Sequence, residues 1–251
     1  MGEEPADRLI DAVTDAGRQP EALGPLAAAL RAYHEGRLDA VMEVTSDLGR
    51  APDLPMSLLF SGVADMSELD RLALDLCRGR VLYVGAAAGR HALVLQARGL
   101  TVTAIDVLPA AVEIMKSRGV SDPRLENVLT FTPDEPYDSV IALMNGTSIL
   151  GSLSRLEGLL IHLTDVVAPG GQILIDSTDL RSPPLLETRR ADGRYCGEVD
   201  YQLSYDGVSG PPLPQLFVDP VTFEDCARGA GWTFDLIARG EERSYLVRLE
   251  R

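Results

Sequence analysis

The sequence predicts an α/β protein built on a doubly wound, mostly parallel sheet, and three observations carry that expectation. From residue 67 onward, short apolar runs alternate with helix-periodic segments through at least four strand–helix units. The first of these strands is a continuous apolar run, as strands covered on both faces are. A glycine-bounded loop, Gly85-Ala-Ala-Ala-Gly89, joins that strand to the following helix.

Taken in order, residues 1 to 36 are predicted helical, with Leu23, Leu26, Ala27, Leu30 and Tyr33 at helical spacing. Val41–Thr45 and Pro55–Phe60 flank a turn-rich stretch at 47 to 53 and suggest a hairpin. A helix over 67–77 leads to strand Arg80–Val84, the glycine loop, helix 90–98 and strand Thr101–Ile105, which ends at Asp106. Helix 109–118, a strand near 124–129, strand Ser139–Met144, helix 154–167 with its stop at Ala168-Pro-Gly-Gly171, and strand Gln172–Asp176 continue the rhythm. Prolines and the alternating run Val199–Tyr205 break it between 180 and 220, an expected insertion over the sheet's edge. Helix 221–229 and strands Trp232–Ala238 and Ser244–Leu249 close the chain, the two strands as an antiparallel pair. Residues 1–66 therefore read as a helical and hairpin cap, and 67–251 as the α/β domain, with the insertion expected to cover a substrate site.

Composition bounds the function. With 251 residues, 45% hydrophobic and 24% charged, the chain can bury a core, which argues against global disorder. A formal charge of −15 repels phosphate backbones and anionic lipid, so neither nucleic acid nor membrane is an expected partner. The short basic run Arg189-Arg190 with Arg194 reads as a solvated loop. Cys77, Cys196 and Cys226 lack metal-site spacing, so no metal is expected. No apolar run approaches 18 residues and the acidic start is unlike a signal peptide, which makes the expected location cytoplasmic.

The loop between a buried strand and a helix turns backbone N–H groups toward a ligand, as nucleotide-type cofactors require. Seventeen residues beyond Gly89, Asp106 ends the next strand, where a carboxylate can accept from both hydroxyls of a ribose. Ala87 and Arg90 depart from the G-x-G-x-x-G of nicotinamide and flavin sites.

With these features the chain resembles the class I S-adenosylmethionine-dependent methyltransferases over roughly residues 67 to 180. Val81–Gly89 is similar to the family's first motif and Asp106 to its ribose acid. Tyr137-Asp138-Ser-Val-Ile through Asn145-Gly146 is similar to the fourth-strand motif, and Leu163–Asp176 to the segment with a proline-glycine-glycine turn before the fifth strand. The resemblance implies a seven-stranded Rossmann-like methyltransferase fold and S-adenosyl-L-methionine as cofactor. It also implies that Gly85, Ala86, Ala87 and Gly89 line the methionine and ribose portions, with Asp106 and Val107 at the ribose. Asn127 and Val128 would then meet the adenine, Met144, Asn145 and Gly146 the sulfonium, and Tyr33 with His34 would close the pocket.

Two positions depart from the family pattern: Tyr83 stands where an acid is usual, and Ala87 where glycine is usual. Tyrosine removes a charge beside the cofactor's ammonium, and the Ala87 methyl is strained wherever φ is positive. Asn145, Asp176 and a tyrosine of the insertion, Tyr201, are the candidates for orienting or deprotonating an acceptor. His91 and His162 read as structural, and Tyr201 and Tyr205 share one strand face, with Tyr195 nearby. The expected activity is methyl transfer to a small-molecule acceptor. The alternatives are a cyclase that breaks another S–C bond and releases methylthioadenosine, and a cofactor-binding scaffold without turnover.

Overall fold

The computed structural model describes residues 19–181 and 193–251. The expected helix before residue 19, the Arg189-Arg190 run and residues 182–192 of the insertion lie outside the described residues. In chain order come α1 (Gly24–His34), β1 (Val41–Ser46), β2 (Gly49–Arg50), β3 (Leu54–Pro55), α2 (Met56–Phe60), α3 (Glu68–Leu76), β4 (Arg80–Val84) and α4 (Arg90–Ala97). Then follow β5 (Thr101–Asp106), α5 (Pro109–Ser117), β6 (Asp122–Leu125), β7 (Tyr137–Ala142), α6 (Ser154–Val166) and β8 (Val167–Thr178). The chain finishes with β9 (Glu198–Tyr205), β10 (Val208–Ser209), β11 (Leu213–Leu216), α7 (Pro220–Gly229), β12 (Thr233–Arg239) and β13 (Ser244–Glu250).

Seven strands form one sheet in the order β12-β13-β8-β7-β4-β5-β6. The pairs among β4 to β8 are parallel, and β13 runs antiparallel to β8 and to β12, as expected. The chain builds outward from β4 through β5 to β6, then returns to β7 on the other side of β4, which makes a switch point at the C-terminal end of β4. Both faces of β4 are covered. Leu82 and Val84 pack with Leu156, Leu160 and Phe223 on one side, and Val81 and Tyr83 with Leu74, Leu95 and Met115 on the other.

The expected hairpin is corrected. Within residues 47–60, β1 pairs with the two-residue strands Gly49–Arg50 and Leu54–Pro55 alone, and Met56–Phe60 is helical, because Met56 and Leu59 point the same way and both are buried. The strand expected near 124–129 lies instead at Asp122–Leu125, and the strand expected to reach Met144 stops at Ala142 because Met144 and Asn145 are left-handed. Pro169-Gly170-Gly171 is absorbed into β8, where the register against β7 shifts. The largest difference concerns β1: its long partner is β9, in the antiparallel register Glu43↔Ser204 through Ser46↔Tyr201. The N-terminal segment and the insertion thus share a second sheet, which packs through Met42, Val44, Leu203 and Leu213 onto Leu108, Ala111 and Ile114 at α5.

Candidate active site

Parallel register sets the site. Tyr83 lies opposite Ala104 and Ile141, and Val84 opposite Ile105, so Gly85, Asp106 and Leu143–Asn145 emerge together from adjacent strands. Gly85 turns the chain with φ +66°, Gly89 caps α4 with φ +77°, and a Cβ at Gly89 would come within 2.7 Å of Val120. Ala87 between them has φ +46°, the strained case anticipated for a methyl-bearing residue. Asp106 holds this turn directly. One carboxylate oxygen accepts from Ala87 N at 2.8 Å and the other from Leu108 N at 2.9 Å. Burial pushes its pKa above the ordinary carboxylate value, against those backbone bonds, and the residue is 8% exposed.

After β7, Met144 (φ +67°) and Asn145 (φ +64°) form a left-handed pair before the short 3-10 turn Gly146–Leu150. Asp176 of β8 pins this turn, one oxygen accepting from Asn145 N at 3.0 Å and the other from Gly146 N at 2.8 Å. Burial raises the Asp176 pKa to about 6. The Asn145 amide itself is buried, and neither Nδ2 nor Oδ1 finds a partner among the described residues. A buried, unsatisfied amide on a strained turn is the signature of a ligand contact.

Beneath the glycine loop lies a buried polar chain. Arg90 pairs with Asp70 and also donates to Leu58 O at 3.0 Å and Ser61 Oγ at 3.1 Å. Arg90 Nε donates to His91 Nε2 at 3.1 Å, and His91 Nδ1 lies 2.8 Å from the Tyr83 hydroxyl. Burial opposes ionisation of Asp70, but His91 and Arg90 beside it hold its pKa below the ordinary value. Burial also lowers the pKa of His91, which stays neutral.

A cavity of about 430 Å³ opens over the switch point, within the usual range for small-molecule sites. It is lined by Tyr83, Gly85, Ala86, Ala87, Asp106, Val107, Asn127, Val128, Met144, Asn145 and Tyr201, all singled out from the sequence. Three other candidates lie elsewhere. Tyr33 packs against Phe60 with ring centroids 4.6 Å apart and planes tilted by 36°, Gly89 packs against Met115 and Val120, and Asp176 stands behind the Asn145–Gly146 turn, so none of the three is among the lining residues. The opposite wall was not read from the sequence. It includes Leu26, Val44, Leu54, Leu203, Leu213 and Phe217. Alternation along β1 and β9 hinted at a buried face, but which surface that face meets depends on pairing two distant strands. Among the described residues there is no group of three or more metal-type ligands and no helix long and apolar enough to cross a membrane.

A glycine turn after the central strand, an acid after its neighbour and a cavity over the switch point define a Rossmann-like α/β protein of the nucleoside-cofactor-binding class. A family model described as a methyltransferase domain matches residues 82–175. The crystal structure of an S-adenosylmethionine-dependent methyltransferase from Bacteroides fragilis in complex with S-adenosyl-L-homocysteine is 34% identical, with a TM-score of 0.81, over 92% of this chain and 95% of that one. The CcbJ methyltransferase of Streptomyces caelestis, at 15% identity and TM-score 0.57 over 74% of this chain and 90% of that one, shares the fold. A ubiquinone biosynthesis O-methyltransferase of Rickettsia conorii is 27% identical over 116 residues, which span 44% of this chain and 39% of that relative. The chain belongs to the class I S-adenosylmethionine-dependent methyltransferases, and S-adenosyl-L-methionine is its cofactor.

Proposed function

We propose that this protein transfers the cofactor's methyl group to a small, uncharged, largely apolar acceptor held between the two sheets. One observation carries the reading: a single cavity runs from the cofactor turn at Gly85, Ala87 and Asp106 to the apolar wall at Val44, Leu203, Leu213 and Phe217. Arg90 is the one cationic side chain among the described lining residues, and Asp70 already neutralises it, which disfavours an anionic acceptor.

The residues fit the cofactor. Asp106 retains acceptor capacity on both carboxylate oxygens beyond its two backbone bonds, enough for a ribose diol. Gly85 presents backbone with no side chain, and a Cβ there would meet nothing closer than 3.9 Å, which leaves room for the methionine arm. Asn127, Val128, Met144 and Asn145 all line the cavity, which supports the reading that the first two pack the adenine and the last two lie near the sulfonium. The bound cofactor supplies an electrophilic methyl group on a positively charged sulfur. The protein's part is alignment and exclusion of water. In this reading the orphaned Asn145 amide orients the acceptor atom, Tyr201 adds a hydroxyl at the acceptor side, and Asp176 is a positioning residue that fixes Asn145. The segments 1–66 and 180–220 act together as the cap. Cys77, Cys196 and Cys226 form no disulfide with one another, which fits a reducing compartment and supports a cytoplasmic location.

The test is the nucleoside formed from S-adenosylmethionine in the presence of a panel of neutral and charged acceptors. S-adenosylhomocysteine formed with neutral acceptors is the expected product. Enzyme-dependent methylthioadenosine without any acceptor would overturn methyl transfer in favour of cleavage at the aminocarboxypropyl carbon.

A further inference from the structure

Arg90 settles the protonation of its neighbours. A guanidinium has donors only and keeps its charge in proteins. Its Nε–H points at His91 Nε2 at 3.1 Å, nearer than the 3.6 Å that separates this nitrogen from Asp70 Oδ1, so Nε2 accepts from Arg90 and carries no proton. The neutral imidazole then bears its proton on Nδ1, 2.8 Å from the Tyr83 hydroxyl oxygen, and donates it there. Protonating both ring nitrogens would set N–H against N–H at Arg90, inside a site where His91 is fully buried. A phenol oxygen accepts one bond near the ring plane and donates one. With His91 donating to that oxygen, the proton of Tyr83 is left over.

Among the described residues, Tyr83 Oη has no hydrogen-bond partner besides His91. The side chain is 2% exposed and lines the cavity next to the Gly85–Ala87 turn. A buried hydroxyl proton without an acceptor is unfavourable, and an anionic acceptor offers it the strongest bond. An ammonium group cannot serve, because it has only donors to offer.

We propose that Tyr83 is a specificity residue that donates a hydrogen bond to the carboxylate of the cofactor's aminocarboxypropyl arm, its proton directed by the Asp70–Arg90–His91 chain. The proposal rests on the cofactor reading above. Asp70 holds Arg90, Arg90 fixes the His91 tautomer, and the tautomer turns the phenol from a general polar group into a donor only. The amino-acid end of the cofactor is thereby read through its carboxylate.

Two ligands that differ only in that carboxylate test this: S-adenosylmethionine and decarboxylated S-adenosylmethionine. Tyr83→Phe keeps the ring and removes the hydroxyl, and is expected to weaken binding of S-adenosylmethionine by about tenfold or more. Binding of the decarboxylated ligand, which offers the hydroxyl no carboxylate to meet, should change less than about twofold. Equal weakening of both ligands, or weakening of neither, would overturn the proposal. The first link is read without any variant, from nitrogen chemical shifts of His91 in the intact chain. A proton on Nδ1 alone is expected, and one on Nε2 would also overturn it. If the wild-type chain bound neither ligand, the cofactor reading itself would fail; wild-type binding that Tyr83→Phe leaves untouched strikes this proposal alone.

Discussion

Ala87 holds a left-handed conformation that glycine adopts without strain, and its φ of +46° makes it a point of stored strain beside the cofactor turn. Ala87→Gly is expected to stabilise the fold by about 1 kcal/mol, less whatever methyl burial is lost, as read from denaturant unfolding. An unchanged or lower stability would mean that packing of the methyl outweighs the backbone strain. Asp106 does two jobs, because the oxygens that would meet a ribose also hold Ala87 N and Leu108 N. Asp106→Asn keeps the volume and one good acceptor, so the fold should persist while affinity for S-adenosylhomocysteine falls roughly 10–100-fold in calorimetric titration. An unaltered affinity would remove Asp106 from the cofactor site. Gly85, Asp106 and Asn145 were legible because each follows a strand whose end is marked locally by apolar runs and turn residues. Gly89, expected along the cofactor, lies beside Met115 and Val120 and outside the cavity wall, in contact with a later part of the chain.

Between strands β7 and β8, one carboxylate organises a whole turn. Asp176 accepts from the N–H groups of Asn145 and Gly146, and its burial raises its pKa from the ordinary 3.8 to about 6. The sign follows from linkage. With a folded pKa above the unfolded one, the contribution to stability is fully present below about pH 4 and is lost as pH rises through about 6. The amide resonances of Asn145 and Gly146 are expected to move with an apparent midpoint near pH 6, and Asp176→Asn to flatten that titration. Amides that stay still across this range would show that Asp176 does not titrate near pH 6. At this scale the sequence was a good guide wherever hydrophobic period and length agreed, as in β4, β5 and α5. It failed at Pro55–Phe60, where a short run, apolar but for Ser57, fits strand and helix equally well and burial of Met56 and Leu59 decides for helix.

At the scale of the molecule, the cavity belongs to two sheets at once. The parallel sheet contributes the cofactor turn, and the antiparallel one contributes an apolar wall through Val44 and Leu203. Ligand in that cavity should tie the sheets together, so S-adenosylhomocysteine is expected to slow both amide exchange and limited proteolysis within residues 193–217. Identical rates with and without it would mean that the second sheet does not sense the site. The parallel sheet was legible because each strand–helix unit is written in contiguous sequence, whereas the second sheet joins segments whose local signals say nothing of each other. That sheet has a further consequence, which concerns time. Glu43 and Ser204 are neighbours in space and about 160 residues apart in sequence, so a growing chain exposes β1 long before β9 exists. Strands β4 and β5 can close among themselves while β1 waits as an open edge. In pulsed hydrogen exchange during refolding, the amides of residues 43–46 should gain protection in a later phase than those of β4 and β5. During that wait, β9 from a second copy can occupy the same edge, which makes strand exchange between chains the characteristic way for this fold to misassemble.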